Sequence, residues 1–202
     1  MTPRLLARCA VLVCVAAIPT ARPALAQGRT VGVKGGVDVS TLHVTPANDS
    51  ARWQWSGGVV AGAFVTQPIL WRLDVQVEAL YAQKGARLTI AALKQTLHID
   101  YVEVPILVRS RFGRYHAEAG PTAAWRVRAV ARTPFAGSTE SVDIGREVAR
   151  NDYGIAAGGG MAFGRLDLDA RYTHGLKNID ADNAGSNRTK NRVVAVTAGV
   201  KF

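Results

Sequence analysis

Apolar and polar residues alternate along most of the chain beyond residue 28. Over 166–173, Leu166, Leu168, Ala170 and Tyr172 share one parity, while Asp167, Asp169, Arg171 and Thr173 share the other. Trp71, Leu73, Val75, Val77, Ala79 and Tyr81 alternate with Arg72, Asp74, Gln76, Glu78 and Leu80. The same rhythm sets Val31, Val33, Val37 and Val39 against Gly32, Lys34, Asp38 and Ser40, and Val194, Val196, Ala198, Val200 and Phe202 against their neighbours. Around 115–129, Tyr115, Ala117, Ala119, Ala123, Trp125, Val127 and Ala129 oppose His116, Glu118, Thr122, Ala124, Arg126 and Arg128. A strand sends successive side chains to opposite faces, so period two predicts strands. Segments 55–66, 97–109 and 152–163 complete a set of eight. The second changes parity, from Leu97, Ile99 and Tyr101 to Val102, Val104, Ile106 and Val108. That predicts a bulge, or a strand end that outruns an apolar zone. Pro105 within it predicts a missing ladder hydrogen bond.

Connections alternate in length. Tight turns are expected at 67–70, at 110–114 and around Gly164, and longer loops at 42–54, 85–95, 131–149 and 175–190. Eight strands joined this way predict an all-β fold: an eight-stranded antiparallel up-and-down transmembrane β-barrel with short periplasmic turns and longer extracellular loops. A soluble ligand-binding barrel has the same period with an apolar interior. An eight-stranded barrel is narrow enough for side chains to fill. Apolar faces turned outward would therefore leave Lys34, Asp38, Arg72, Asp74, Glu78, Glu103, Glu118, Arg126, Arg128, Asp167, Asp169 and Arg171 as a mixed-sign lumen network. A one-residue slip would put arginines in lipid at about 2–4 kcal/mol each near the midplane. Trp71, Tyr115, Phe163 and Phe202 lie near the short turns, and Trp53, Trp55, Tyr81, Trp125, Tyr153 and Tyr172 nearer the loops. Two aromatic belts are what membrane interfaces favour.

Composition changes this picture at the N-terminus. Arg4 and Arg8 precede an apolar run over 9–18 that Pro19 ends, and Ala24-Leu25-Ala26 offers small residues for a signal peptidase. Residues 1–26 are therefore expected to be a cleaved export signal, with 27–202 forming the barrel. Cys9 and Cys14 are the only cysteines, so the mature chain would have none, which excludes disulfides, thiolate metal sites and cysteine nucleophiles. Arg4, Arg8 and Arg22 would leave too, lowering the formal charge from +10 to +7. The remaining basicity is better read as barrel filling and loop chemistry than as nucleic-acid binding. Gly158-Gly159-Gly160 is no phosphate loop, because no lysine-serine or lysine-threonine follows it.

The stretches Gly32–Leu42, Glu78–Gly85, Tyr101-Val-Glu-Val-Pro105, Ala119-Gly-Pro121, Leu166–Ile179, and Lys190-Asn-Arg192 through Gly199-Val-Lys-Phe202 occur in order and at characteristic spacing. On these the chain resembles the small outer-membrane β-barrel family described as porin-like or PorT-like, over roughly residues 30–202. The resemblance implies outer-membrane insertion, with the last strand and Phe202 recognised by the barrel-insertion machinery. It supplies no catalytic motif and no cofactor.

The expected function is a non-enzymatic integral outer-membrane protein for envelope structure, surface interaction or limited permeation, monomeric and in contact with outer-membrane lipid. Its lumen is expected to be plugged rather than conducting. The competing reading is a lipid-modifying barrel enzyme using His116 and Glu118 as an acid/base pair. A soluble periplasmic barrel is the third. Lys177, Asp180, Asp182, Asn183, Arg188 and Lys190 are loop candidates for an extracellular ligand or lipopolysaccharide phosphates, with solvation the favoured role.

Overall fold

The computed structural model describes residues 28–45, 52–90, 93–135, 138–146, 148–178 and 188–202. The expected export segment, 1–26, lies outside them. Nine strands follow in chain order: β1 (Thr30–Thr45), β2 (Arg52–Leu70), β3 (Leu73–Ile90), β4 (Leu93–Phe112), β5 (Tyr115–Phe135), β6 (Ser138–Asp143), β7 (Asn151–Phe163), β8 (Leu166–Gly175) and β9 (Arg188–Lys201). All pairings are antiparallel, and β1 pairs with both β2 and β9, which closes the ladder. Eight strands form the wall. The short β6 pairs only with the far end of β5, beyond the level where β7 takes over that edge.

Two of the three short turns follow from glycines; the third is Trp71-Arg72, the expected turn at 67–70 being ladder instead. Gly113 and Gly164 have φ of 63° and 60°, and each opens a two-residue connection, between Phe112 and Tyr115 and between Phe163 and Leu166. Two-residue hairpins whose twist matches the strands need positive φ, which glycine adopts without a Cβ clash.

At the other end, the strands are longer than the alternation predicts. Ile90 still pairs with Leu93, so most of the expected 85–95 loop is ladder. The expected 131–149 loop is largely a hairpin, with Phe135 opposite Ser138. The reason is solvent: beyond the lipid the outward face becomes polar, as at Arg87 and Arg132, so the apolar period fades while backbone pairing continues.

The parity change in β4 has the second of its two expected causes. Ile99, Tyr101, Glu103, Pro105, Leu107 and Arg109 all face inward, so β4 keeps one parity throughout. The bulge is in β5: Asp100 pairs with Arg128 and Tyr101 with Arg126, leaving Val127 without a partner. Ala124 is inward before it, and Ala129 and Ala131 after it. Pro105 interrupts the β3–β4 ladder, which lapses between Val77↔Ile106 and Leu80↔Glu103, and the β4–β5 ladder lapses where Ile106 stands opposite Pro121, as residues without an N–H require.

Candidate functional site

Inward positions are even-numbered on β1, β2, β3 and β7, and odd-numbered on β4, β8 and β9. Together with β5 this places charged side chains from six strands at one level near the short turns. Lys34 Nζ lies 2.8 Å from Glu78 Oε1 and 2.9 Å from Asp169 Oδ2. Arg171 reaches Glu78 Oε2 and Glu118 Oε1, each at 2.7 Å. Arg109 spans the lumen to Asp167 at 2.9 Å, Asp169 at 2.8 Å and Glu118 at 3.2 Å. It also donates to Gln76 Oε1 at 2.5 Å and touches the His116 ring, whose Nε2 is 2.7 Å from Asp169. Lys201 adds a contact to Asp167 at 3.2 Å. Four carboxylates thus meet four cations, and the network is neutral when His116 is uncharged. All but Lys201 are buried. Ion pairs out of water are tolerable because most of these carboxylate oxygens accept from a cation, Glu118 Oε2 and Asp167 Oδ1 being the two without a hydrogen-bond donor.

The glycine run of β7 makes room for this. A Cβ on Gly160 would stand 2.7 Å and 2.8 Å from His116 Cε1 and Nε2 and would overlap the Leu168 carbonyl. Gly160 therefore leaves room for the His116 ring, and a Cβ on Gly158 would meet the Ala170 carbonyl and Arg171 Cα. Phe64 supplies the opposite kind of neighbour, its ring centroid 5.5 Å from Lys34 Nζ.

Nearer the loops the filling changes. Lys84 Nζ pairs with Glu103 Oε2 at 2.5 Å and sits 5.1 Å from the Tyr101 ring centroid. Asn191 Nδ2 donates to Asp152 Oδ2 at 2.7 Å, and Asp38 is buried at this level. Above them Ile99, Tyr101, Ala124, Ala129, Ala131 and Ile144 form an apolar layer, with Leu97 and Val148 against it. The backbone bond from Ile144 N to Ala129 O (3.2 Å) holds the segment after β6 over the lumen.

The predicted network is therefore only partly one network. Lys34, Glu78, Glu118, Asp167, Asp169 and Arg171 meet in the lower layer. Glu103 and Asp38 belong to the level above. Asp74 is buried at the short-turn mouth, 2.8 Å from Arg111 Nε. Arg126 is half-buried and donates to the Val148 carbonyl at 3.2 Å, so it ties down the segment over the lumen instead of joining the ions. Two assignments need correction. Arg72 is exposed in the turn, stacked 4.1 Å from the Trp71 ring. Arg128 is exposed because the Val127 bulge reverses the parity of β5. The assignment of Ala129 to the outer face fails for the same reason. Arg109, Lys84 and Gln76 were the missed members, although the outward parity of Ile106 and Val108 already placed Arg109 inside.

His116, Glu118 and Asp169 bring ligand atoms within 4.8 Å of one another. They do not suit a metal ion, because Arg109, Arg171 and Lys34 already neutralise them at bonding distance. Nor does His116 suit an acid/base role on lipid, since it is buried among these ions. A cavity of about 200 Å³ opens at the short-turn mouth and is lined by Asp74, Arg109, Arg111, Arg114, His116 and Lys201. Of the loop candidates, 180–183 lie outside the described residues, and Lys177 Nζ sits 5.8 Å from the Tyr153 ring centroid.

The outer surface is the inverse of the lumen. Val37, Val59, Val127, Ile155 and Val196 are each at least half exposed. Trp71 and Tyr81, Tyr115 and Trp125, and Tyr153 and Phe163 stand ten positions apart, and all six rings are exposed. Ten strand residues cover about 34 Å, or about 26 Å of height at a tilt near 40°, which matches a lipid-facing apolar band. A closed ladder with carbon outside and ions inside is a transmembrane barrel, and such walls of strands are a feature of outer membranes. The soluble ligand-binding barrel, which needs an apolar interior, does not fit.

The chain belongs to the outer membrane protein beta-barrel domain family, which matches residues 23–181. Its fold is shared with neisserial surface protein A (NspA), at 12% identity over 85% of this chain and 97% of that one, with a TM-score of 0.51. Ail of Yersinia pestis (15% identity, 86% and 99% coverage, TM-score 0.48) and OprG of Pseudomonas aeruginosa (13%, 86% and 95%, 0.45) are similar too. No curated protein matches the chain in sequence.

Proposed function

We propose that this outer-membrane protein is a non-enzymatic, closed barrel serving envelope structure or surface interaction, with its lumen sealed by side chains. The observation that carries this is the lower ionic layer, where Arg109 and Arg171 from β4 and β8 bind carboxylates on β5, β8 and β3. With every cation held by buried carboxylates, no continuous water path is left at that level. The apolar layer of Ile99, Tyr101 and Ile144 supports closure a second time. Limited permeation is the weaker alternative, since it requires both layers to part.

The chain is read as exported by residues 1–26, inserted through recognition of its last strand and Phe202, and monomeric in contact with outer-membrane lipid. Planar-bilayer recording of the purified protein tests closure: a flat baseline is expected, and stable large channels overturn it. Lipid A from cells with and without the gene tests the absence of enzyme activity. Unchanged acylation is expected, and altered acylation would restore the lipid-modifying reading.

A further inference from the structure

The β5 bulge has an effect on the outside of the barrel. On β3, β4 and β5, the upper aromatic belt is the outward row Tyr81–Val102–Trp125. The next outward row towards the loops is Gln83–Asp100–Arg128, followed by Gly85–His98–Val130 and then Arg87–Thr96–Arg132. Arg87, Arg128 and Arg132 are all exposed. If β5 kept regular alternation through Val127, the parity set by inward Glu118 and Ala124 would turn Arg128 and Arg132 into the lumen. A bulge that re-aims side chains usually has a use. None of the ion pairs among the described residues involves Arg87, Arg128 or Arg132. Asp100 is the one acid on these rows within β3–β5, and exposed Asp143 of β6 pairs with Val130 at their edge. The patch thus carries three arginines against two carboxylates, immediately above the lipid boundary.

The heights identify the occupant. Arg128 lies two residues above the belt and Arg132 six, so at about 3.4 Å per residue and a tilt near 40° they stand about 5 Å and 15 Å above it. Arg87 and Arg132 flank Thr96, so their Cα atoms are about 10 Å apart across two strand spacings. A phospholipid carries its phosphate at one depth only. A glycolipid phosphorylated on both its lipid anchor and its inner sugars carries anionic groups at two. Arginine is suited to such groups because its planar fork binds phosphate oxygens in pairs.

We propose that the outward face of β3–β5, through Arg87, Arg128 and Arg132, is a binding site for the phosphates of lipopolysaccharide in the outer leaflet. The inference rests on the membrane placement of the barrel with its loops outward, and not on whether the lumen conducts.

Native mass spectrometry of the detergent-solubilised full chain tests it, using three probes: lipopolysaccharide with a phosphorylated inner core, the same glycolipid after enzymatic dephosphorylation, and phosphatidylglycerol. The wild-type chain is expected to retain the phosphorylated glycolipid about tenfold better than either other probe. R87Q/R128Q/R132Q is expected to lose that preference, while R72Q/R165Q at the short-turn rim keeps it. Heat-modifiable gel migration of each variant confirms that the barrel is folded. Equal retention of the dephosphorylated probe, equal retention of phosphatidylglycerol, or an unchanged preference in the folded triple variant would each overturn the site. Loss in R72Q/R165Q alone would instead show that the short-turn rim holds the glycolipid and that the assigned membrane orientation is reversed.

Discussion

In the half of the lumen next to the short turns one connected ion network fills the barrel, and in the half next to the loops a smaller polar level of Asp38, Lys84, Glu103 and Asp152 gives way to a layer of carbon. The lower half joins Lys34, Glu78, Arg109, Glu118, Asp167, Asp169 and Arg171, each with several partners. The upper half packs Ile99, Ala129, Ala131 and Ile144 around Tyr101, with the Lys84–Glu103 pair beneath. On the proposed closed-lumen reading both exclude water, but they fail differently. Losing one ion strands others in a low dielectric, whereas losing one apolar side chain leaves a void whose cost depends on how far its neighbours collapse.

The largest expected effect follows from Arg109, which contacts three carboxylates. Arg109→Ala should destabilise the barrel by about 3–5 kcal/mol, because four buried carboxylates are then left with three cations. Urea unfolding in phospholipid vesicles reads this. A loss below about 1 kcal/mol would mean that water, and not protein, balances the lower layer. Ile99→Ala in the upper layer should cost about 2–4 kcal/mol as a cavity, without raising conductance, because the ionic layer below still seals the lumen. If Ile99→Ala opens a channel, the ionic layer is not a seal and the contrast between the halves collapses. Gly160→Ala should cost about 1–3 kcal/mol by pushing a methyl group into the His116 ring and the Leu168 carbonyl. The same change at Gly113 tests a different cost, since a Cβ there meets nothing and only the positive φ opposes it.

The two halves also differ in how legible they are in sequence. The lower layer could be read almost entirely from parity. Leu166 and Leu168 outward leave Asp167, Asp169 and Arg171 inward, and the structure places them so. Arg109 follows from the same rule, although Leu97, Ile99 and Tyr101 blur the parity of β4. Those three are apolar and inward, so at the loop end the apolar residues change face while the strand does not turn over. Arg128 was not legible. A bulge is one extra residue in the ladder, and the repeat Trp125-Arg126-Val127-Arg128 looks regular whether or not Val127 has a partner across the strand. The hairpin through Ile90 and Leu93 is hidden by the same change of face: Ala86, Leu88 and Ile90 fall on the parity opposite to Val75, Val77 and Ala79, so the lipid-facing pattern stops at Tyr81 while the ladder continues.

Arg128 and Arg126 give the smallest and most discriminating contrast. They are separated by one residue, and simple alternation assigns them one environment. The bulge gives them two: Arg126 is half-buried and donates to the Val148 carbonyl, while Arg128 is exposed and has no ion pair among the described residues. Arg128→Gln should therefore change stability by no more than about 0.5 kcal/mol, the range of surface substitutions. Arg126→Gln should cost about 1–2 kcal/mol, because it removes a charge-assisted hydrogen bond to a carbonyl in the segment over the lumen. Paired urea titrations in vesicles measure the difference. Equal losses would place both arginines in the lumen and remove the bulge at Val127. A larger loss at Arg128 would mean that its outward position is stabilised by a protein contact, and the glycolipid site would then have one arginine fewer to offer.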